Sequence, residues 1–237
     1  MMGDSMQIMV VMIAYMLVVI GIGVAFARRA NQSSEDYFLG GRTLGPWVTA
    51  MSAEASDMSG WLLMGLPGVA YWCGISDAAW TAIGLAAGTY INWLITSKRL
   101  RRYSEKANAI TLPEFFSNRF HEQGKVIMTI AALFILIFFT VYAASCLVTC
   151  GKLFSTLFGF GYVPMMIVGA VFVLVYTIIG GFLAESASDF MQAVVMIVAL
   201  LVIVITGTAA AGGLGAVVEN ARSIPGFLTF FGIATPE

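Results

Sequence analysis

The chain has 237 residues, 59% of them hydrophobic and 11% charged, with a net charge of −1 and a mean hydropathy of +0.90. A soluble domain would be about 45–50% apolar and about 25% charged, so the composition excludes one and describes an all-α polytopic membrane protein in a lipid bilayer. The net charge says nothing about nucleic acid, and with no basic tract interleaved with aromatics none is expected as a partner. Cys73, Cys146 and Cys150 lack metal-ligand spacing, and the one histidine, His121, sits in a charged loop. With no nucleophile–base pair or phosphate loop either, an enzyme is not expected.

Six transmembrane helices are predicted from apolar runs near 20 residues. The first, 7–27, is followed by Arg28 and Arg29 and lacks a basic segment before it, so it reads as a retained helix and not a cleaved leader. The second, 46–72, differs in kind. Its middle carries Ser52, Glu54, Ser56, Asp57 and Ser59, followed by Gly60, Gly65, Pro67 and Gly68. A mid-membrane carboxylate costs on the order of 2.5–3.5 kcal/mol, and a purely structural helix would avoid it. Hydroxyls and glycines at that depth predict a helix that breaks and offers freed backbone carbonyls to a cation.

The third span is predicted over 78–96, the fourth over 126–153, the fifth over 163–184 and the sixth over 190–211. Thr111 with Glu114 three residues on marks a capping box, which predicts a short amphipathic helix carrying Phe115, Phe116 and Phe120. That helix reads equally as a gating element or a basic anchoring loop. Tyr142, beside Ala143, Ala144 and Ser145 in the fourth span, reads as a packing residue or as a ligand. The link 180–192 holds Glu185 and Asp189 and no Lys or Arg. It reads as an acidic mouth that attracts cations, or as Ser186 or Ser188 capping the sixth span with Asp189 complementing its dipole. A polar, weakly helical tail is predicted over 212–237, and no internal repeat is visible.

Of the twelve Lys and Arg residues, ten (Arg28, Arg29, Arg42, Lys98, Arg99, Arg101, Arg102, Lys106, Arg119 and Lys125) fall in two loops that alternate spans place on one side. Only Lys152 and Arg222 fall on the other. The basic loops are therefore expected in the cytoplasm, with the N-terminus outside a multi-pass protein of the cell membrane.

The stretches Leu39-Gly-Gly-Arg-Thr-Leu-Gly-Pro46 and Ala55-Ser-Asp-Met-Ser-Gly-Trp-Leu-Leu-Met-Gly-Leu-Pro-Gly68 resemble the sodium/solute symporter family, in its proline-transporting branch. Asn92-Trp93, Leu112-Pro113, Phe138-Phe-Thr-Val-Tyr142 and Gly180-Gly-Phe-Leu-Ala184 follow in the family's order. The resemblance implies a LeuT-like fold of two inverted five-helix repeats preceded by one extra helix. Here 7–27 would be the extra helix and 46–211 the first repeat, with its broken helix at 46–72. It implies sodium-coupled symport of proline or a similar small amino acid, with sodium as the coupling ion. Ala55 and Met58 would donate backbone carbonyls to sodium, and Asp57 and Ser59 would set its affinity. Gly60, Trp61 and Tyr142 would line the solute pocket, and Arg42 and Asp189 would act in coupling and release.

Glu54 departs from the small residue expected at its place, and a second carboxylate near Asp57 leaves proton coupling open. The sequence given stops before a second repeat, which leaves half the sodium cage and half the solute pocket to a second-repeat half. This is the pattern of the N-terminal half of a transporter. A solute-sensing or partner-binding module and a truncated non-functional remnant are the alternatives.

Overall fold

A computed structural model describes residues 2–231, and among these every regular element is a helix. The final residues of the predicted tail, 232–237, lie outside the described residues. Apolar sequence favours this outcome, since a helix satisfies its own backbone hydrogen bonds without water.

The elements in order are α1 (Met2–Ala30), α2 (Ser34–Leu39), a 3-10 turn (Gly40–Arg42) and α3 (Pro46–Asp57). A π turn (Trp61–Gly65), α4 (Leu66–Cys73), α5 (Ile75–Asn92), a second π turn (Trp93–Ser97) and α6 (Lys98–Lys106) follow. Then come α7 (Leu112–Arg119), α8 (Val126–Phe158), α9 (Tyr162–Ala210) and α10 (Leu214–Ser223). Short polar caps set several boundaries. Ser33 Oγ accepts from Asp36 N at 3.0 Å to start α2. Thr111 Oγ1 accepts from Glu114 N at 3.4 Å, while Glu114 Oε2 accepts from Ile110 N at 2.8 Å, so the Thr111–Glu114 pair starts α7 from both sides. Of the three phenylalanines there, Phe115 is buried and Phe120 is 61% exposed.

Three helices among the described residues are long and apolar enough to cross a bilayer: Met6–Ala30, Val126–Phe158 and Tyr162–Ala210. The third holds both the predicted fifth and sixth spans, and what it corrects is the link predicted between them. Within the 49 residues of α9 two helical stretches meet at Gly181, whose backbone is not helical, and residues 182–192 are helix and not a loop. A straight helix of that length would reach about 74 Å, more than twice the hydrocarbon thickness of about 30 Å. Beyond the one kinked residue the polar run through Asp189 stays helical, with Ser188 and Asp189 hydrogen-bonded within the protein.

The described chain forms two compact units. One comprises the chain up to Asp57 with Ser104–Ala193. Its buried apolar side chains are Val19, Ala30, Ala109, Phe115, Tyr176, Leu183, Ala184 and Ala193. Helix α1 lies so close to α9 that a Cβ on Gly180 would stand 2.8 Å from Gly23 O and 2.9 Å from Gly23 Cα. Gly181 has φ 56° and ψ −157°, a region essentially restricted to glycine, and a Cβ there would stand 2.8 Å from Tyr37 O. Tyr37 serves this kink in a second way. Its hydroxyl donates to Ile178 O at 3.1 Å and Thr177 O at 3.4 Å, carbonyls that a straight helix would pair with the N–H groups of Phe182 and Gly181.

The other unit comprises Met58–Tyr103 with the chain from Val194 onward. Within it α4 packs on α5 after a break at Gly74, and the segment after α10 closes over the start of α5. There Ile75 N donates to Phe227 O at 2.8 Å, and Ser76 Oγ and Trp80 Nε1 donate to Phe230 O at 3.0 and 2.9 Å.

Gly181→Ala is expected to cost about 1–3 kcal/mol from backbone strain alone, and the approach to Tyr37 adds to it. Gly207→Ala, with open space around its Cβ, should be neutral or slightly stabilising. Thermal unfolding in detergent checks the pair: the Gly181 variant should melt lower by roughly 2–4 °C per kcal/mol lost. Equal melting temperatures would show that the kink is not strained in this way.

Candidate functional site

The site begins with the phase of α3. Ser52 and Ser56 are four residues apart and therefore share a face. Both hydroxyls donate to Asp189 Oδ2 on α9, Ser52 Oγ at 3.0 Å and Ser56 Oγ at 2.8 Å. Ser52 and Asp189 are buried. A buried carboxylate without donors would be expensive, and two hydroxyls from one helix turn are what holds this one. Around it on α9, Ser188 Oγ donates to Glu185 O at 2.9 Å, while the Ser186 hydroxyl is buried with no hydrogen-bond partner. Glu185, Tyr176 and Tyr15 all lie within electrostatic reach of Asp189. The capping role considered for Ser186 and Ser188 is thus replaced: α9 is continuous there, and Asp189 faces α3.

Helix α3 ends at Asp57, and Met58 and Ser59 lie outside helical geometry. Winding resumes from Gly60, and the segment Trp61–Gly65 is a π turn. Ser59 partly replaces the missing helical bonds, its Oγ accepting from Trp61 N at 3.2 Å and its O from Leu62 N at 3.0 Å. An interruption of this kind frees backbone carbonyls, which are hard oxygen ligands for an alkali cation. No cluster of three His, Cys, Asp or Glu residues exists among the described residues.

The sequence-predicted residues divide between the two units. Arg42, Glu54, Ala55, Asp57, Tyr142 and Asp189 belong to the first, and Met58, Ser59, Gly60 and Trp61 to the second. Within the first unit, Tyr142 lies beside Cys146 and within electrostatic reach of Asp57, with its ring edge-on to Phe139 at 6.2 Å. It is 42% exposed, and Trp61 in its own unit is 53% exposed. Glu54 and Asp57 are both exposed, and neither makes a hydrogen bond or ion pair among the described residues. Arg42 has φ 55° and joins three partners, donating from Nε to Glu35 Oε1 at 2.7 Å, from Nη2 to Ala109 O at 3.0 Å and from Nη1 to Ser104 Oγ at 3.4 Å. Arg42 and Asp189 therefore serve different neighbours. The sequence reading missed Ser52 and Ser56 as the partners of Asp189, and Glu35 as the partner of Arg42. Their only signal was local: two hydroxyls one helical turn apart within an apolar run.

Long apolar helices, together with a shorter one that ends at a carboxylate, describe an α-helical membrane protein. Comparison with known proteins names the family. The family model for the sodium:solute symporter family matches residues 37–230, and the chain belongs to that family. The sodium/proline symporter of Escherichia coli K12 is 46% identical over 215 residues, covering 90% of this chain and 42% of that protein. That of Salmonella typhimurium LT2 is 48% identical over 210 residues, covering 87% and 41%. That of Staphylococcus aureus RF122 is 43% identical over 226 residues, covering 95% and 44%. The chain thus spans less than half the length of these relatives. No solved structure matches it significantly.

Hydrogen bonds to a charged group contribute about 1.5–3 kcal/mol each, so Ser52→Ala and Ser56→Ala are each expected to destabilise the protein by about that much. In an Asp189→Asn background each loss should shrink to below about 1 kcal/mol, because the charge is gone. A double-mutant cycle read by thermal unfolding checks this, and additive effects would dissociate the serines from Asp189.

Proposed function

We propose that this chain carries the N-terminal half of a sodium-coupled symporter for proline or a similar small amino acid. The observation that carries the reading is the end of α3 at Asp57, followed by non-helical Met58 and Ser59, inside the segment matched by the symporter family. On this reading the six predicted spans form the extra helix and first repeat of a LeuT-like fold in the cell membrane, with the N-terminus outside. The fifth and sixth of them both fall within the kinked α9.

Sodium, as transported ion, is met by the backbone carbonyls of Ala55 and Met58, with Asp57 and Ser59 setting its affinity. Cations of this kind favour carbonyl, hydroxyl and carboxylate oxygens over sulfur or nitrogen. The solute pocket is lined by Gly60, Trp61 and Tyr142, and the aromatic faces of the last two suit the ring and ammonium of proline. Arg42 and Asp189 act in coupling and release, and Glu54 adds a carboxylate next to the sodium-binding turn. The matched relatives are more than twice as long as this chain. Alternating access requires one repeat to move against the other, so transport calls for a second-repeat half as partner.

Uptake of labelled proline into proteoliposomes, with and without a sodium gradient, tests the reading. The chain is reconstituted alone and with a co-expressed second-repeat half of a relative. Uptake should depend on sodium and occur only in the pair. Asp57→Asn should raise the sodium concentration for half-maximal uptake by about tenfold, as expected for losing about 1.4 kcal/mol of ion binding. Uptake by the chain alone would contradict the half-transporter reading. Solute binding without transport in the pair would favour a sensing module, and neither binding nor transport would favour a remnant.

A further inference from the structure

The most basic stretch of the chain lies where α5 leaves its apolar course. Four of the five residues Lys98-Arg-Leu-Arg-Arg102 are cationic. They open α6, which continues α5 through the π turn Trp93–Ser97 without a break in helical winding. At 3.6 residues per turn, Lys98, Arg99 and Arg102 fall within an arc of about 100°. Leu100 lies on the opposite side of the helix and is half-buried, whereas these three cations are exposed. Among the described residues none of the three is in an ion pair or hydrogen bond. Exposed aromatic side chains flank the cluster, Trp93 at 43% on one side and Tyr103 at 53% on the other. Trp and Tyr of this kind concentrate at the level of lipid headgroups.

We propose that the α6 face formed by Lys98, Arg99 and Arg102 binds the phosphate headgroups of anionic phospholipids, with Trp93 and Tyr103 fixing its depth at the membrane surface. The chemistry matches on both sides. The two guanidinium groups offer bidentate pairing to phosphate oxygens, and the lysine adds a compact point charge. With α5 read as the third predicted span, the cationic cluster at its end meets a surface whose anionic lipids attract it. The helical link to α5 means that a lipid held there would fix the height of that helix in the bilayer. The inference rests on reading α5 as a span. Lipid association is measured without solute or sodium, so its failure is distinct from a failure of transport.

The test uses the full chain in nanodiscs of phosphatidylcholine with phosphatidylglycerol. Spin-labelled phosphatidylglycerol and spin-labelled phosphatidylcholine report relative association at the protein. Wild type should prefer phosphatidylglycerol, and the preference should weaken at about 1 M salt, where screening acts within about 3 Å. The double variant Arg99→Gln, Arg102→Gln should lose about two- to fivefold of that preference per cation removed. Arg222→Gln serves as a control and should leave it unchanged. Unaltered helix content by circular dichroism excludes misfolding, and Lys98→Gln alone gives a second, milder variant. An unchanged preference in the double variant would overturn the proposal. So would a site that takes inorganic phosphate in pure phosphatidylcholine nanodiscs without preferring the anionic lipid.

Discussion

A carboxylate buried in an apolar protein has to be met by donors, and the contact of Asp189 with Ser52 and Ser56 meets that requirement here. Much of the first unit is arranged so that this contact can exist. Helix α9 reaches Asp189 only after bending at Gly181, and the bend is held by a glycine-only backbone geometry and by the Tyr37 hydroxyl on the carbonyls of Thr177 and Ile178. The close approach of Gly23 to Gly180 sets α1 against the same bend. Helix α3 presents its two serines in one turn, and that turn leads directly to its end at Asp57. One buried charge therefore couples a kinked long helix to the last turn before an interruption.

The interruption itself follows from what an apolar setting allows. Helical backbone is the default wherever water is absent, and a gap in it must be filled by side chains or ligands. Ser59 fills part of the gap with its hydroxyl on Trp61 N. The remaining oxygen atoms are the kind that a sodium ion takes as ligands, which is why membership of the sodium:solute symporter family and the local backbone support one proposal. Arg42 shows the same economy at a loop. One guanidinium in a left-handed backbone conformation gathers Glu35, Ser104 and Ala109.

Much of this was legible in the residues, for identifiable reasons. Composition alone required long apolar helices, and the Thr111–Glu114 spacing marked the start of α7, because both signals are local. Glycines and hydroxyls across residues 52–68 pointed to an interruption, and α3 ends at Asp57. The helical winding of residues 182–192 was not legible, since a polar run of glutamate, serines and aspartate looks like a loop until its partners are known. The pairing of Asp189 with serines more than 130 positions earlier leaves no local trace. The same holds for Tyr37, whose role depends on a kink some 140 residues away.

The central proposal is that sodium is held where α3 ends, by the backbone carbonyls of Ala55 and Met58. Amide hydrogen exchange, followed by mass spectrometry on the chain joined by a second-repeat half in nanodiscs, tests it most directly. Replacing potassium by sodium should slow exchange in peptides covering residues 55–62 and leave those covering α7 unchanged. Equal exchange at 55–62 in the two salts, with sodium-driven uptake intact, would place the ion elsewhere and contradict the account.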